Sequence, residues 1–172
     1  RLTQAAFALD GLLTFKADLT VDTELEALVR HITDRWGRLD VLINNAGVMP
    51  QGDRHIVTCS EDDFEYTMSV NFTAPYRLTK RVIPLLQLSD SPRVINISST
   101  MGVIGTSLTG VYGLSKAMLN SLTVALSNEL AGSVVVNSVS PGWVKTDMAP
   151  EGPGDPADSA QTVLRVMNLD SS

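Results

Sequence analysis

Val41-Leu42-Ile43-Asn44-Asn45-Ala46-Gly47 is the stretch that decides the fold. Three consecutive apolar residues without polar alternation read as a strand buried on both faces, the situation of a parallel sheet covered by helices. Two amides and two small residues then carry the chain out of the strand. Asn44 and Asn45 can hold backbone groups through their amides, while Ala46 and Gly47 allow a flat ligand close to the main chain. Alone, the four residues would read as a turn.

Working outward, helical and strand patterns alternate. Leu12 to Phe15 is a short apolar run of strand length, ended by Lys16, Ala17 and Asp18. Leu25, Leu28, Val29, Ile32 and Trp36 recur at helical spacing, with Thr20 or Asp22 as the expected cap and Gly37 as the stop. On that helix His31 reads as a surface residue. Ser60 followed by Asp63 resembles a capping box before a long helix through Leu86, bent at Pro75. Val94 to Ile97 is the next strand, Tyr112 to Leu130 a helix, and Val134 to Val139 a β-branched strand. A loop rich in Gly and Pro runs from Pro141 to Pro156, and its part from Pro150 reads as a mobile flap beside a site. An amphipathic helix through Val163, Val166 and Met167 closes the chain. Such alternation implies right-handed crossovers and a doubly wound parallel α/β sheet in a single domain over residues 1–172.

Composition narrows the function. With 172 residues, 44% of them apolar, and a mean hydropathy of +0.10, the chain is long enough and apolar enough to bury a core. A net charge of −6 argues against nucleic acid as a partner. No apolar run approaches the roughly 20 residues of a membrane span. The single cysteine, Cys59, excludes an intrachain disulfide and suits a reducing, cytoplasmic setting. Cys59 and His55 stand four apart near several acids, but no third soft ligand or zinc spacing accompanies them, so no metal site is expected. The six methionines are scattered and read as core or pocket filler.

The chemistry is carried by Tyr112 and Lys116, four apart on one helix face. A phenol is a poor proton donor at neutral pH, and a nearby ammonium lowers its pKa enough to make it useful. Tyr76 and Lys80 repeat the spacing, so the pair by itself decides nothing. What singles out Tyr112 is Ser99, 13 residues earlier at the end of the strand Val94 to Ile97, where active sites of parallel sheets collect. Its hydroxyl can donate to a substrate carbonyl as charge builds on the oxygen. Asn71 interrupts a helical pattern and should face inward near Met68 and Phe72, its amide satisfied through water.

Together, Asn44-Asn45-Ala46-Gly47, Asn71, Ser99, Tyr112-x-x-x-Lys116 and Pro141-Gly142-Trp143-Val144-Lys145-Thr146 resemble the short-chain dehydrogenase/reductase family, most of all its carbonyl-reductase branch. The resemblance runs over almost the whole chain from Leu12. It implies an NAD(P)-dependent oxidoreductase acting on a small-molecule carbonyl or secondary alcohol, with NADP favoured over NAD by resemblance alone, and it admits a homo-oligomer. It further implies that Tyr112 is the acid/base, that Lys116 binds the nicotinamide ribose and lowers the Tyr112 pKa, that Ser99 holds the carbonyl and that Asn71 anchors a relay water. Asp18, with Leu19 beside it, matches the acidic residue that meets the adenine ring, and Asn45 the one along the adenosine ribose. Ala46 and Gly47 belong to the same cofactor wall, and Val144 and Thr146 match contacts on the nicotinamide side.

Two departures accompany the match. The family's opening strand, its glycine-rich phosphate turn and its second strand have no counterpart after Arg1, and the last strand has none before Ser172. The expectation is therefore a partial Rossmann-like sheet truncated at both ends, with Leu12 to Phe15 left as an orphan edge or paired in another register. A fragment of this kind could be catalytically silent and act only by binding a partner. An epimerase or dehydratase of the extended relatives shares Tyr-x-x-x-Lys, but Asn44-Asn45-Ala46-Gly47 and the small size count against it.

Overall fold

The computed structural model describes residues 11–50, 55–103 and 110–169. Within them three strands, β1 (Val41–Asn44), β2 (Arg93–Ile97) and β3 (Val135–Val139), form a parallel sheet in the order β1-β2-β3. Leu42 pairs with Val94, and Val94 with Val136, so the three side chains stand in a row on one face. That face is covered by α1 (Asp22–Trp36) and by the helices that connect the strands. α3 (Ala74–Leu86) contributes Leu78, Val82 and Leu86, and α4 (Gly110–Glu129) contributes Leu126. Leu25 of α1, fully buried, closes the cluster. On the opposite face Arg93 donates to the Leu169 carbonyl at 2.6 Å, just beyond α5 (Pro156–Met167). Helices on both faces make the sheet doubly wound.

The core continues as a polar row at the carboxyl end of the sheet. Asn44 and Asn96 are register partners, and the Asn44 amide donates to Asn96 Oδ1 at 2.8 Å and to Thr79 Oγ1 at 3.0 Å. Asn96 Nδ2 in turn donates to Thr123 Oγ1 at 2.9 Å, and that hydroxyl donates to the Leu119 carbonyl. All four side chains are buried. Each finds a partner, which removes the desolvation penalty of an amide in a core.

Several expectations are corrected. Leu12 to Phe15 forms no strand: nothing among the described residues offers it a ladder, and Leu12, Leu13 and Phe15 remain exposed. Phe15 packs on His31 instead, their ring centroids 5.0 Å apart, and Trp36 meets the same imidazole edge-on. His31 is thus the middle of an aromatic stack rather than a bare surface residue. The α1 cap is neither Thr20 nor Asp22. Val21 occupies the cap position, because Asp18 Oδ1 takes both the amide and the hydroxyl of Thr20 in a local turn, and Glu24 reaches back to the Asp18 amide at 2.7 Å. Gly37 stops the helix in the left-handed conformation, as expected.

The long helix from Ser60 is three segments. Ser60 accepts from the Asp63 amide and opens α2 (Glu61–Met68), a π turn covers Ser69–Thr73, and α3 follows with Pro75 in its first turn. Proline cannot donate to the carbonyl four residues back, that of Asn71, and the wider turn accommodates the missing bond. The segment before α5 is pinned rather than loose. Gly154 donates to the Trp143 carbonyl and accepts from the Lys145 amide, which folds the stretch back beside Val144.

Candidate active site

The loops leaving all three strands open into one cavity of about 1080 Å³. Asn45, Ala46 and Gly47 line it from β1, Ser99 from β2, Val144 and Thr146 from the loop after β3, and Tyr112 and Lys116 from α4. Eight of the residues singled out in the sequence thus meet around one space. Asp18 and Leu19 are not among its walls.

Lys116 anchors the arrangement. It is 4% exposed, and its ammonium donates to the Ile97 carbonyl at the end of β2 at 2.8 Å. Burial lowers its pKa to about 8. One helical turn earlier the Tyr112 ring lies with its centroid 5.6 Å from the same nitrogen. The decoy pair looks alike by distance, with Lys80 6.0 Å from the Tyr76 ring. Both of its members are exposed and neither lines the cavity. Burial and position separate the pairs; spacing does not.

Ser99 precedes a 3-10 turn, Thr100–Gly102, and its hydroxyl oxygen accepts from the Met101 amide at 3.2 Å. That leaves its proton for a ligand among the described contacts. The turn sits directly on α4: a Cβ placed on Gly102 would come within 2.7 Å of the Lys116 carbonyl carbon and 2.8 Å of the Ala117 nitrogen. Only a residue without a side chain lets the Ser99 turn and the Lys116 helix approach so closely.

Asn71 is fully buried in the π turn, facing inward as its place in the sequence suggests. Its side chain has three protein partners. Oδ1 accepts from the Val48 amide at 2.8 Å, and Nδ2 donates to the Val48 carbonyl at 2.9 Å and to Ser115 Oγ at 3.0 Å. Ser115 passes its own proton to the Tyr112 carbonyl at 2.7 Å. One amide therefore ties the β1 loop to α4 beside the Tyr112–Lys116 pair. Ser115, Asn96, Thr79 and Thr123 escaped the sequence reading. Ser115 had one usable signal, a small polar residue on the same helix turn as Lys116; the others look like ordinary surface or loop types.

Asp18 is held below the usual carboxylate pKa by the hydroxyl and then the amide of Thr20. Among the described residues no three His, Cys, Asp or Glu side chains stand together so as to hold a metal ion, and no described helix is long and apolar enough to cross a membrane.

Comparison with known proteins agrees with this fold. The family model for short chain dehydrogenases matches residues 2–155. The chain is 33% identical over 132 residues to a 3-oxoacyl-(acyl-carrier-protein) reductase, FabG, of Vibrio cholerae, covering 76% of this chain and 53% of that one. A short-chain dehydrogenase structure from Streptomyces avermitilis superposes with a TM-score of 0.88 at 25% identity, covering 98% of this chain and 71% of that one. One from Shigella flexneri, solved in complex with NADP, gives 0.83 at 27% identity over 91% and 70%. With a parallel α/β sheet and a Tyr112–Lys116 pair beside its carboxyl end, this chain belongs to the short-chain dehydrogenase family. It spans about half the length of the first curated relatives it matches.

Proposed function

We propose that the whole protein is an NAD(P)H-dependent carbonyl reductase, reversible toward the secondary alcohol, and that these residues form its proton-transfer half. The observation that carries the reading is the buried Lys116 ammonium fixed on Ile97 O with the Tyr112 ring 5.6 Å away in a shared cavity. The residues present suit the nicotinamide end of a dinucleotide. A Cβ on Gly47 would lie 3.5 Å from both Lys116 Nζ and Asn71 Oδ1, so the glycine keeps the space before the ammonium open for a flat ring and a ribose. The NADP and NADPH complexes of the Shigella flexneri and Escherichia coli neighbours favour the phosphorylated cofactor.

When bound, the reduced nicotinamide supplies the hydride. Ser99 donates its hydroxyl proton to the carbonyl oxygen and holds it where charge develops. Tyr112 delivers a proton to that oxygen, and Lys116 makes the proton mobile by favouring the phenolate. Two Lys116 protons remain for ribose hydroxyls after the bond to Ile97 O. Asn71 positions Val48 and, through it, Gly47, and at this place beside Lys116 it serves to anchor a relay water in proton transfer. Asn45, Ala46, Val144 and Thr146 line the cofactor's path, and Asp18 with Leu19 serves the adenine end. A cytoplasmic setting and a homo-oligomer complete the proposal.

NADPH oxidation with a simple ketone, together with NADPH titration by fluorescence, tests the assignment in the whole protein. Tyr112→Phe should lower kcat by about a hundredfold or more while the NADPH Kd stays within about threefold. Tyr76→Phe should leave both unchanged. Equal losses from the two substitutions would mean that the catalytic pair has been misassigned.

A further inference from the structure

We infer that Ser115 is a positioning residue of the reaction, which fixes where the Tyr112 phenol stands by tying the Tyr112 backbone carbonyl to the Asn71 amide; this rests on the reductase reading above. Tyr112 is only the third residue of α4, and Gly110 and Gly113 lie within two residues of it. Glycine is the poorest helix former after proline, and the first turn of a helix has amides without intrahelical partners. The proton donor therefore sits on the least self-supporting part of its helix. A displacement of about 1 Å at a reacting group can lower the rate a hundredfold, so contacts from outside the helix must hold this turn. Ser115 supplies one. It is fully buried, three residues beyond Tyr112, on the helix face that Tyr112 and Lys116 share. Its hydroxyl donates to the Tyr112 carbonyl at 2.7 Å and accepts from Asn71 Nδ2 at 3.0 Å. Asn71 is itself fixed on the amide and the carbonyl of Val48.

A second hydroxyl on α4 shows what this link adds. Thr123, about two turns farther along, also donates to a carbonyl of its own helix, that of Leu119 at 2.8 Å, and accepts from a buried amide, Asn96 Nδ2 at 2.9 Å. The two clamps match in chemistry and burial and differ in place. Thr123 fastens the middle of α4 to β2, and neither Thr123 nor Asn96 lines the cavity. Ser115 fastens the turn that carries Tyr112 and Lys116 to the π turn and, through Val48, to the β1 loop. That link passes close to the ammonium, because a Cβ on Gly47 would stand 3.5 Å from both Asn71 Oδ1 and Lys116 Nζ. Lys116 has its own tie to Ile97 O, so Ser115 governs the Tyr112 end of the pair. Without the Ser115 hydroxyl, the Tyr112 carbonyl keeps its helical bond and Asn71 keeps Val48. The fold then survives, while the phenol loses its tie to the β1 loop.

The test uses the whole protein with NADPH and a simple ketone, and reads kcat, KM, the NADPH Kd and thermal melting. Ser115→Ala should lower kcat about tenfold while the ketone KM and the NADPH Kd stay within about twofold. Its melting should remain a single cooperative transition. Thr123→Val removes the other hydroxyl–amide clamp at nearly constant shape. It should lower the melting temperature at least as far as Ser115→Ala does and leave kcat within about twofold. That split separates placement of the phenol from general loosening of α4, which both substitutions would cause. An unchanged kcat in Ser115→Ala, or equal losses of kcat in the two variants, overturns the inference and leaves the reductase reading standing. If the unsubstituted protein turns over none of acetophenone, cyclohexanone and 2-octanone, the reductase reading falls and this inference with it.

Discussion

At the scale of single residues, Lys116 sets opposite pH dependences for stability and chemistry. Its pKa is lowered by burial from 10.5 to about 8. Between those values the unfolded chain still holds the proton that the folded one has released, so stability from this group rises as pH climbs from about 8 toward 10.5. On the proposed mechanism activity moves the other way, because the ammonium assigned to serve Tyr112 disappears over the same range. We expect kcat/KM for NADPH, which reports the free enzyme, to fall about tenfold per pH unit above pH 8 while the urea midpoint moves upward. A flat profile to pH 9.5 would show that the Lys116 charge plays no part. The Tyr76–Lys80 pair makes the same point by contrast: equal spacing and similar ring distance lead nowhere when both groups stay in water.

At the scale of elements, what matters is how the 3-10 turn Thr100–Gly102 seats on α4. Gly102 brings Ser99 into the same cavity as Tyr112 by letting the turn touch the Lys116 backbone. In Gly102→Ala the new methyl group meets backbone atoms, which cannot rotate away, so the turn must lift. The expected result is a stability loss of about 1–3 kcal/mol and a fall in kcat larger than any change in NADPH affinity. Melting and steady-state kinetics read the two separately, and an unchanged kcat would show that the Ser99 position does not depend on this contact. The π turn Ser69–Thr73 is the second such device. It absorbs the bond that Pro75 cannot make and places Asn71 against Val48 and Ser115.

For the whole molecule, the buried row Thr79–Asn44–Asn96–Thr123 joins α3, β1, β2 and α4 behind the cavity. Asn96 is its centre, donating one way and accepting the other. Asn96→Leu keeps the γ-branched shape but leaves one Asn44 amide hydrogen unsatisfied in the core, at a cost of about 1–3 kcal/mol for the lost acceptor. Chemical denaturation should show that loss in the midpoint. If Asn96→Leu were neutral, the row would be incidental to holding the sheet and helices together.

Short-range chemistry determined much of this protein. The apolar run Val41 to Ile43, the helical recurrence after Asp22, the Ser60–Asp63 cap and the β-branched stretch ending at Val139 each express a local preference that the fold keeps. So does the Tyr112–Lys116 pair, since four residues on a helix always share a face. Tertiary structure decided the rest, because those outcomes depend on partners far along the chain. Leu12 to Phe15 has strand composition and no ladder to join; Thr20 has a capping hydroxyl already taken by Asp18. Asn96 and Ser115 look unremarkable in sequence until β1, the π turn and α4 bring their partners to within 3.0 Å. The Ser99 step separates Tyr112 from Tyr76 in the sequence, but the lowered Lys116 pKa is a tertiary outcome: a charge is perturbed only when packing from several elements removes its water.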